Sequence, residues 1–339
     1  MATGRTVKLN TGSTIPALGF GTWKALPGET TIAVKEALQV GYRHIDGAPI
    51  YGNEKEVGEG IKLSGVPRHE IFVTSKLWNT YHDPAWVERG LDKTLHDLGL
   101  EYLDLYIIHW ACAFKTGEVM NPVDSDGKNI IADIDYVDTY KAMEKLVQTG
   151  KVKAIGVSNF TVAQLERLLK VATIVPAVNQ IEAHPWLQQP QLVKFCEDHG
   201  IKLVAYSSLG NNLAGFPRCI DDPQIQSIAK SLGKTPAQLV LSWGVTRGFS
   251  VLTKSVSKTR MQENFEDFIV DEETMKRVNA LDKGDIKGRY NWNAKWGIDI
   301  FGLLAQGEVE EALERFLKDP TELNNRPRFQ LVDNQVVDA

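Results

Sequence analysis

A chain of 339 residues, 43% hydrophobic and 24% charged, carries enough apolar material for a substantial core and lacks the composition of a disordered protein. Its net charge of −5 excludes a general nucleic-acid surface, because phosphate binding needs a dense basic field, and leaves room only for local anion pockets. No stretch approaches the roughly 20 apolar residues of a membrane span, and the opening "MATGRTVKLNTGSTIP" lacks the apolar core of a secretory signal, so a cytoplasmic protein with no membrane partner is expected.

In chain order, "TVKLNTGSTIPALGFGTW" reads as two short strands about a turn, a hairpin suited to a lid or plug, followed by a third extended run ending at glycines. Short apolar runs then follow, each trailed by a segment of helical period: "RHID", "IFVTSKLW", "LDLYIIHW", "KAIGVSNF", "AVNQIEA", "KLVAYSSLG" and "FSVLTKS". With "ALGFG" they make about eight strands. Between them, "DPAWVERGLDKTLHDLG" and "VDTYKAMEKLVQTGKVK" place Asp or Thr near helix starts and Gly near helix ends.

Apolar strands alternating with amphipathic helices imply an α/β protein with a parallel sheet covered by helices. About eight such units favour closure as a (β/α)8 TIM barrel over about residues 6–295, with a doubly wound sheet as the competing architecture. The Rossmann fingerprint is absent: Gly19 and Gly21 are followed by Lys24, and Gly58 and Gly60 by Leu63. Past residue 296, "DIFGLLAQGEVEEALERFLKDP" reads as an amphipathic helical extension whose apolar stripe is Leu303, Leu304, Val309, Leu313, Phe316 and Leu317. A mobile polar end, "NNRPRFQLVDNQVVDA", closes a chain expected to form one domain over 1–339.

A barrel places its chemistry at the C-terminal ends of its strands. Here those ends are Asp46, Lys76, His109, Ser158 with Asn159, Gln180, Tyr206, and Lys254 with Ser255, all polar, as a site at one mouth requires. Lys76 closes the apolar run "IFVTSKL", where reaching solvent is difficult; His109 on its own would read as a satisfied core histidine, and Asp46 with Lys76 as a structural ion pair. Tyr51 changes that balance. A phenol ordinarily titrates near 10, and an adjacent ammonium stabilises the phenolate, so Lys76 is expected to lower Tyr51 while Asp46 holds Lys76. The set suits proton donation to a carbonyl oxygen as negative charge develops there, with His109 orienting the same oxygen.

Metal chemistry fits less well, since His44, His109 and His184 fall on different strands and no HxH or HExxH pair occurs. Cys112, Cys196 and Cys219 show no metal spacing and no disulfide framework.

The segments "LGFGTW", "GYRHIDGAPIYGNEKEVGEGI", "VTSKLW", "DLYIIHW", "GVSNF", "NQIEAHPW", "AYSSLG" and "LTKSVSKTRMQEN" occur in order over about residues 6–295, and together they resemble the aldo-keto reductase family. That resemblance implies a (β/α)8 barrel that reduces aldehydes and ketones by hydride transfer from NADPH, with NADH as a weaker alternative. It implies Asp46, Tyr51, Lys76 and His109 as a catalytic tetrad with Tyr51 as general acid. It assigns Ser158, Asn159 and Gln180 to the nicotinamide carboxamide, Tyr206 to stacking on its ring, and Ser207 to Gly210, Leu209 included, to the pyrophosphate. Thr22, Trp23 and Asp46 join the cofactor set, with Lys24 nearby.

By the same resemblance, Lys254, Ser255 and Arg260 face the 2′-phosphate, and Glu263 and Asn264 the adenine. Arg260 near a helix start is physically suited to a dianion. Trp23, Trp78, His109 and Trp110 are expected to line the substrate pocket, with no metal.

The chain departs from the family pattern at Gly47, where a small hydroxylated residue is usual, at Ala111 and Cys112 after "HW", and in "LTKS" for "IPKS". Specificity is expected in three segments, about 111–135, 208–222 and 290–305, with Phe114, Leu213 and Phe216 as candidates either for an apolar wall or for surface packing. The small-molecule carbonyl is the expected partner, on a monomer or weak homodimer. A nicotinamide-binding regulatory subunit is the rival from another class, against which the intact tetrad argues.

Overall fold

The computed structural model describes residues 4–211, 217–318, 329–332 and 335–338. The chain enters as an antiparallel hairpin of β1 (Thr6–Lys8) and β2 (Thr14–Pro16). It continues through β3 (Leu18–Gly21), β4 (His44–Asp46), β5 (Phe72–Leu77), β6 (Leu105–Ile108), the short pair β7 (Ala113–Phe114) and β8 (Ile131–Ala132), β9 (Ile155–Ser158), β10 (Val178–Glu182), β11 (Lys202–Tyr206) and β12 (Ser250–Thr253). Strands β3, β4, β5, β6, β9, β10, β11 and β12 close, in that order, into a barrel of parallel pairs. Each of the eight apolar runs read from the sequence contains one barrel strand, and the closed sheet rules out the doubly wound alternative.

Period 2 along each strand sorts the side chains into two sets. One set, with Phe20, Ile45, Val73, Tyr106, Val157, Ile181 and Val251 among its members, packs outward in the main core with the surrounding helices. The other forms a separate cluster that includes Leu105, Ile107, Ala154, Val178, Val204 and Leu252, and Leu9 and Ile15 of the hairpin region join it. The hairpin therefore plugs the end at which the strands begin. On the same parity the next residues upward are Lys76, Ser158, Gln180 and Tyr206, so the interior turns from apolar to polar along the barrel axis. Gly19 is needed there, because a Cβ would lie 2.4 Å from His44 Nδ1.

The covering helices are α1 (Glu29–Val40), α2 (Glu54–Ser64), α3 (Val87–Leu98), α4 (Tyr136–Val147), α5 (Val162–Leu169), α6 (Pro190–Asp198), α7 (Pro223–Ser231), α8 (Pro236–Thr246), α9 (Lys258–Phe265), α10 (Glu272–Asn279), the single turn α11 (Gly284–Lys287) and α12 (Gln306–Lys318). Their ends follow local chemistry. Thr161 with Gln164 and Thr235 with Gln238 form capping boxes on α5 and α8, and Gly99 takes the left-handed conformation (φ 63°) that ends α3.

The expected extension helix is shorter than its apolar stripe suggested. Asp299 accepts from the amides of Phe301 (3.1 Å) and Leu304 (2.7 Å), which turns the chain and delays α12 to Gln306; Leu303 and Leu304 precede the helix. In the polar end, β13 (Phe329–Val332) pairs antiparallel with β14 (Gln335–Asp338), two short runs that the sequence reading left unstructured. Leu213, Phe216 and the side chain of Phe316 lie outside the described residues. Among the described residues no helix is long and apolar enough to cross a membrane.

Candidate active site

Strand β4 ends at Asp46, and the chain passes through Gly47 and Ala48 into a 3₁₀ turn, Pro49–Tyr51. Proline at its first position and Gly52 in the left-handed region after it fix the turn that places Tyr51 over the barrel mouth. Lys76, 0% exposed, donates to Asp46 Oδ1 at 2.6 Å and to the Gly47 carbonyl at 2.8 Å, and reaches the Tyr51 hydroxyl at 3.5 Å. Gln180 Nε2 donates to the other Asp46 oxygen at 2.7 Å. At Gly47 the backbone carbonyl does the holding: a Cβ there would have only ordinary contacts, so the missing hydroxyl leaves the Lys76 contact untouched.

Burial dominates the electrostatics. It lowers Lys76, opposed by the Asp46 carboxylate, and lowers His109 well below its ordinary value, with the Lys76 charge and His82 acting in the same direction. Tyr51 moves the opposite way from the sequence expectation. Burial, aided by the Asp46 charge, raises it well above 10, because Lys76 is already spent on Asp46 and Gly47. The site thus holds a protonated phenol beside a neutral imidazole.

Across the mouth, Ser158 Oγ donates to the Gln180 carbonyl (2.8 Å), and Asn159, in the left-handed region at φ 63°, donates from Nδ2 to the His109 carbonyl and Ser158 Oγ, both at 3.0 Å. Tyr206 donates to Asn159 Oδ1 at 2.5 Å. These side chains border a cleft of about 540 Å³ that also takes in Thr22, Trp23, Lys24, Ser207, Leu209 and Lys254. Amide side chains at one end, an aromatic floor and lysines further along suit a long polyanion that ends in an amide-bearing ring.

The pocket wall is aromatic. His109 meets Tyr51 and Trp78 edge-on at 5.9 and 5.3 Å and stacks on Trp110 at 6.0 Å, while Trp23 approaches Tyr51 at 6.5 Å. Phe114 lies behind this wall, fully buried against Trp78 and Trp296, and does not line the cleft.

Of the residues expected toward the adenosine, Lys254 borders the cleft, and Ser255, Arg260, Glu263 and Asn264 lie beyond it. Ser255 Oγ accepts from the Ser257 amide at 3.0 Å, in the turn that leads into α9; Arg260 and Glu263 are exposed on that helix. Asn264 is buried, its amide donating to Thr253 Oγ1 at 3.0 Å, a bond that the threonine of "LTKS" makes possible.

Residue by residue, the sequence reading missed Asn291, Asn293, Lys295 and Trp296, which close the cleft from the segment after α11. Trp296 packs edge-on against Trp110 at 5.4 Å and Trp78 at 6.0 Å. Burial and the Lys24 charge lower Lys295. The dense run "RYNWNAKW" was the available signal. Also missed was Glu182, fully buried at the end of β10, which accepts from the amides of Tyr290 (2.7 Å) and Asn291 (2.9 Å) and from Asn291 Nδ2 (2.9 Å). His184 pairs with it at 3.0 Å, and these partners together with the Arg289 charge overcome burial and pull it down to about 2, so a permanent carboxylate anchors the closing segment. Among the described residues no three His, Cys, Asp or Glu side chains converge as metal ligands.

The model of the Aldo/keto reductase family matches residues 17–283. The chain is 45% identical over 318 residues to the D/L-glyceraldehyde reductase of Hypocrea jecorina, covering 89% of this chain and 95% of that protein. It is 50% identical over 304 residues to an uncharacterized oxidoreductase of Schizosaccharomyces pombe, covering 88% and 94%. Among solved structures it is similar to the aldose reductase of Schistosoma japonicum, at a TM-score of 0.78 and 40% identity over 83% of this chain and 93% of that one.

Proposed function

The chain belongs to the Aldo/keto reductase family of oxidoreductases, which generally use nicotinamide cofactors, and from that premise we infer that it reduces aldehydes and ketones to alcohols with NADPH. The observation that carries the reading is Lys76, fully buried between Asp46 and Gly47 and 3.5 Å from the Tyr51 hydroxyl at the edge of an aromatic pocket. Bound NADPH would supply the hydride. Ser158, Asn159 and Gln180 would hold its carboxamide, Tyr206 its ring, Thr22, Trp23 and the segment from Ser207 through Leu209 its middle, and Lys254, Ser255, Arg260, Glu263 and Asn264 its adenosine end. Arg260 and Lys254 favour a 2′-phosphate, so NADPH is preferred to NADH.

The protein's own residues perform the proton step. Tyr51 enters it protonated, because burial and Asp46 disfavour the phenolate. An alkoxide is roughly as basic as hydroxide, whose conjugate acid titrates near 15.7, so a proton moves readily from a phenol to the new alkoxide oxygen. The Lys76 ammonium then faces the phenolate left behind. Neutral His109 offers an N–H to the same oxygen without adding a charge that would compete with Lys76. Trp23, Trp78, His109 and Trp110 exclude water around the carbonyl. One barrel unit of about residues 6–295, with 296–339 appended, carries this chemistry.

Small hydroxyaldehydes are the substrate class we favour, because the aromatic wall is interrupted by Asn121 and Asn293 and a relative is named for glyceraldehyde. The test is oxidation of NADPH and NADH by the purified protein with D- and L-glyceraldehyde, a sugar aldehyde and an aromatic aldehyde. Aldehyde-dependent loss of NADPH faster than of NADH is expected. Tight cofactor binding with no carbonyl turned over would reject the reductase reading in favour of a regulatory role.

A further inference from the structure

A second cavity, of about 350 Å³, opens among the starts of α5 and α6 and the segments on either side of α11. Part of its wall is apolar, formed by Val162, Leu192, Phe301 and Leu303. Inside it stands one buried cation, Arg289, 3% exposed. The guanidinium spends little of its donor capacity. Nη2 reaches Gln189 Oε1 at a long 3.3 Å, Nε is buried with no partner among the described residues, and the nearby Glu182 carboxylate acts on the guanidinium by charge without an ion-pair contact. The Phe301 ring lies 3.9 Å from Cζ. Glu182, the nearby carboxylate, has both oxygens committed to His184, Tyr290 and Asn291.

The start of α6 is equally unspent. Gln189 sits in the left-handed region at φ 49° and turns its side-chain amide to the Glu182 carbonyl at 2.7 Å, so it does not cap the helix. Pro190 takes the first position, which leaves the amides of Gln191 and Leu192, both bordering the cavity, without a capping side chain. A buried guanidinium and an uncapped helix start directed at one cavity describe a carboxylate site. Asp282 and Asp285 are exposed at its rim, and Asp282 already accepts from the amides of Gln188 and Gly284. Their charge and that of Glu182, which also lines the cavity, disfavour a dianion, and the apolar wall favours a hydrocarbon body.

We propose that this cavity binds a small organic monocarboxylate, with its carboxylate on Arg289 and the first turn of α6 and its apolar body against Phe301, Leu192 and Leu303. Asn159 borders this cavity and the catalytic cleft alike, and its amide group ties His109, Ser158 and Tyr206 together. Occupancy therefore changes the affinity of the adjacent cleft for cofactor.

Calorimetric titration of phenylacetate into the full chain, with the cleft first empty and then saturated with NADPH, tests this. A phenylacetate site that survives NADPH saturation is expected, weakened at least about tenfold by Arg289→Gln, a change of about 1.4 kcal/mol. Since Arg289→Gln alters a buried charge, Leu303→Trp, which fills the cavity from its half-buried rim and leaves Arg289 in place, must weaken it comparably. Trp23→Ala, at the exposed edge of the catalytic cleft and away from this cavity, should leave it unchanged. Absence of binding, binding that Leu303→Trp leaves intact, or binding lost in Trp23→Ala overturns the proposal.

Discussion

The two ends of the barrel are built from the same eight strands and do opposite work. At the strand starts, Leu9 and Ile15 seal a mainly apolar interior of Leu105, Ile107, Val178, Val204 and Leu252, beside which the buried His44 meets Thr74 Oγ1 at 3.1 Å and Ser250 donates to the Pro16 carbonyl at 2.8 Å. At the strand ends the same inward positions carry Asp46, Lys76, Ser158, Gln180 and Tyr206, each committed to another polar group. The closed end admits only polar groups that bond to one another or to the hairpin backbone; the open end concentrates polarity that only a mutually bonded layer makes affordable. Stability and chemistry are thus separated along one axis, and substitutions at the two ends should separate as well.

The largest effect belongs to the open end. Lys76→Met should abolish measurable turnover and also destabilise the fold by roughly 3–5 kcal/mol, since it leaves Asp46 buried without its cation. Urea unfolding and steady-state kinetics measure the two losses. Ile15→Ala at the closed end should cost a comparable 2–5 kcal/mol, roughly, by opening a cavity in the plug, yet leave kcat and KM unchanged below its unfolding range. A changed KM would mean that the two ends are mechanically coupled.

Glu54 sharpens the contrast from outside the barrel wall. It is buried at the start of α2 and accepts from Ser75 Oγ (2.7 Å) and Thr94 Oγ1 (3.3 Å). Burial raises it from 4.5 to about 7 against those two bonds, with Asp97 adding to the rise and Lys93 opposing it. A carboxyl raised on folding contributes stability at pH values below its unfolded value, and that contribution is lost as the pH climbs through 7. Wild type should therefore lose on the order of 2 kcal/mol between pH 5 and pH 8 that Glu54→Gln does not lose, read from urea unfolding at both pH values. The smallest effect is at the surface: Arg260→Ala should weaken NADPH about tenfold and NADH hardly at all, measured by fluorescence quenching, and equal losses would place the phosphate elsewhere.

What the sequence disclosed follows the same axis. Strand ends are legible because an inward-facing Lys or Asp after an apolar run, as at Lys76, breaks a pattern with a known period. The barrel itself is legible because eight such runs alternate with capped helices. Tertiary partners are not. That Lys76 would be consumed by Asp46 and Gly47, leaving Tyr51 raised, depends on where the Gly47 carbonyl points.

Glu182 reads as an ordinary strand residue until the segment after α11 folds back onto it. Phe114 looked like pocket wall because chain proximity to Trp110 says nothing of depth. The expected helix from residue 299 failed at Asp299, whose side chain competes for the backbone, a contest that apolar periodicity does not register.

The proton step is tested most directly by Tyr51→Phe, assayed for glyceraldehyde-dependent NADPH oxidation beside NADPH binding by fluorescence. Loss of at least about a thousandfold in kcat with an unchanged NADPH dissociation constant is expected, because the hydroxyl acts in the transition state and not in cofactor binding. Turnover equal to wild type would contradict Tyr51 as the general acid.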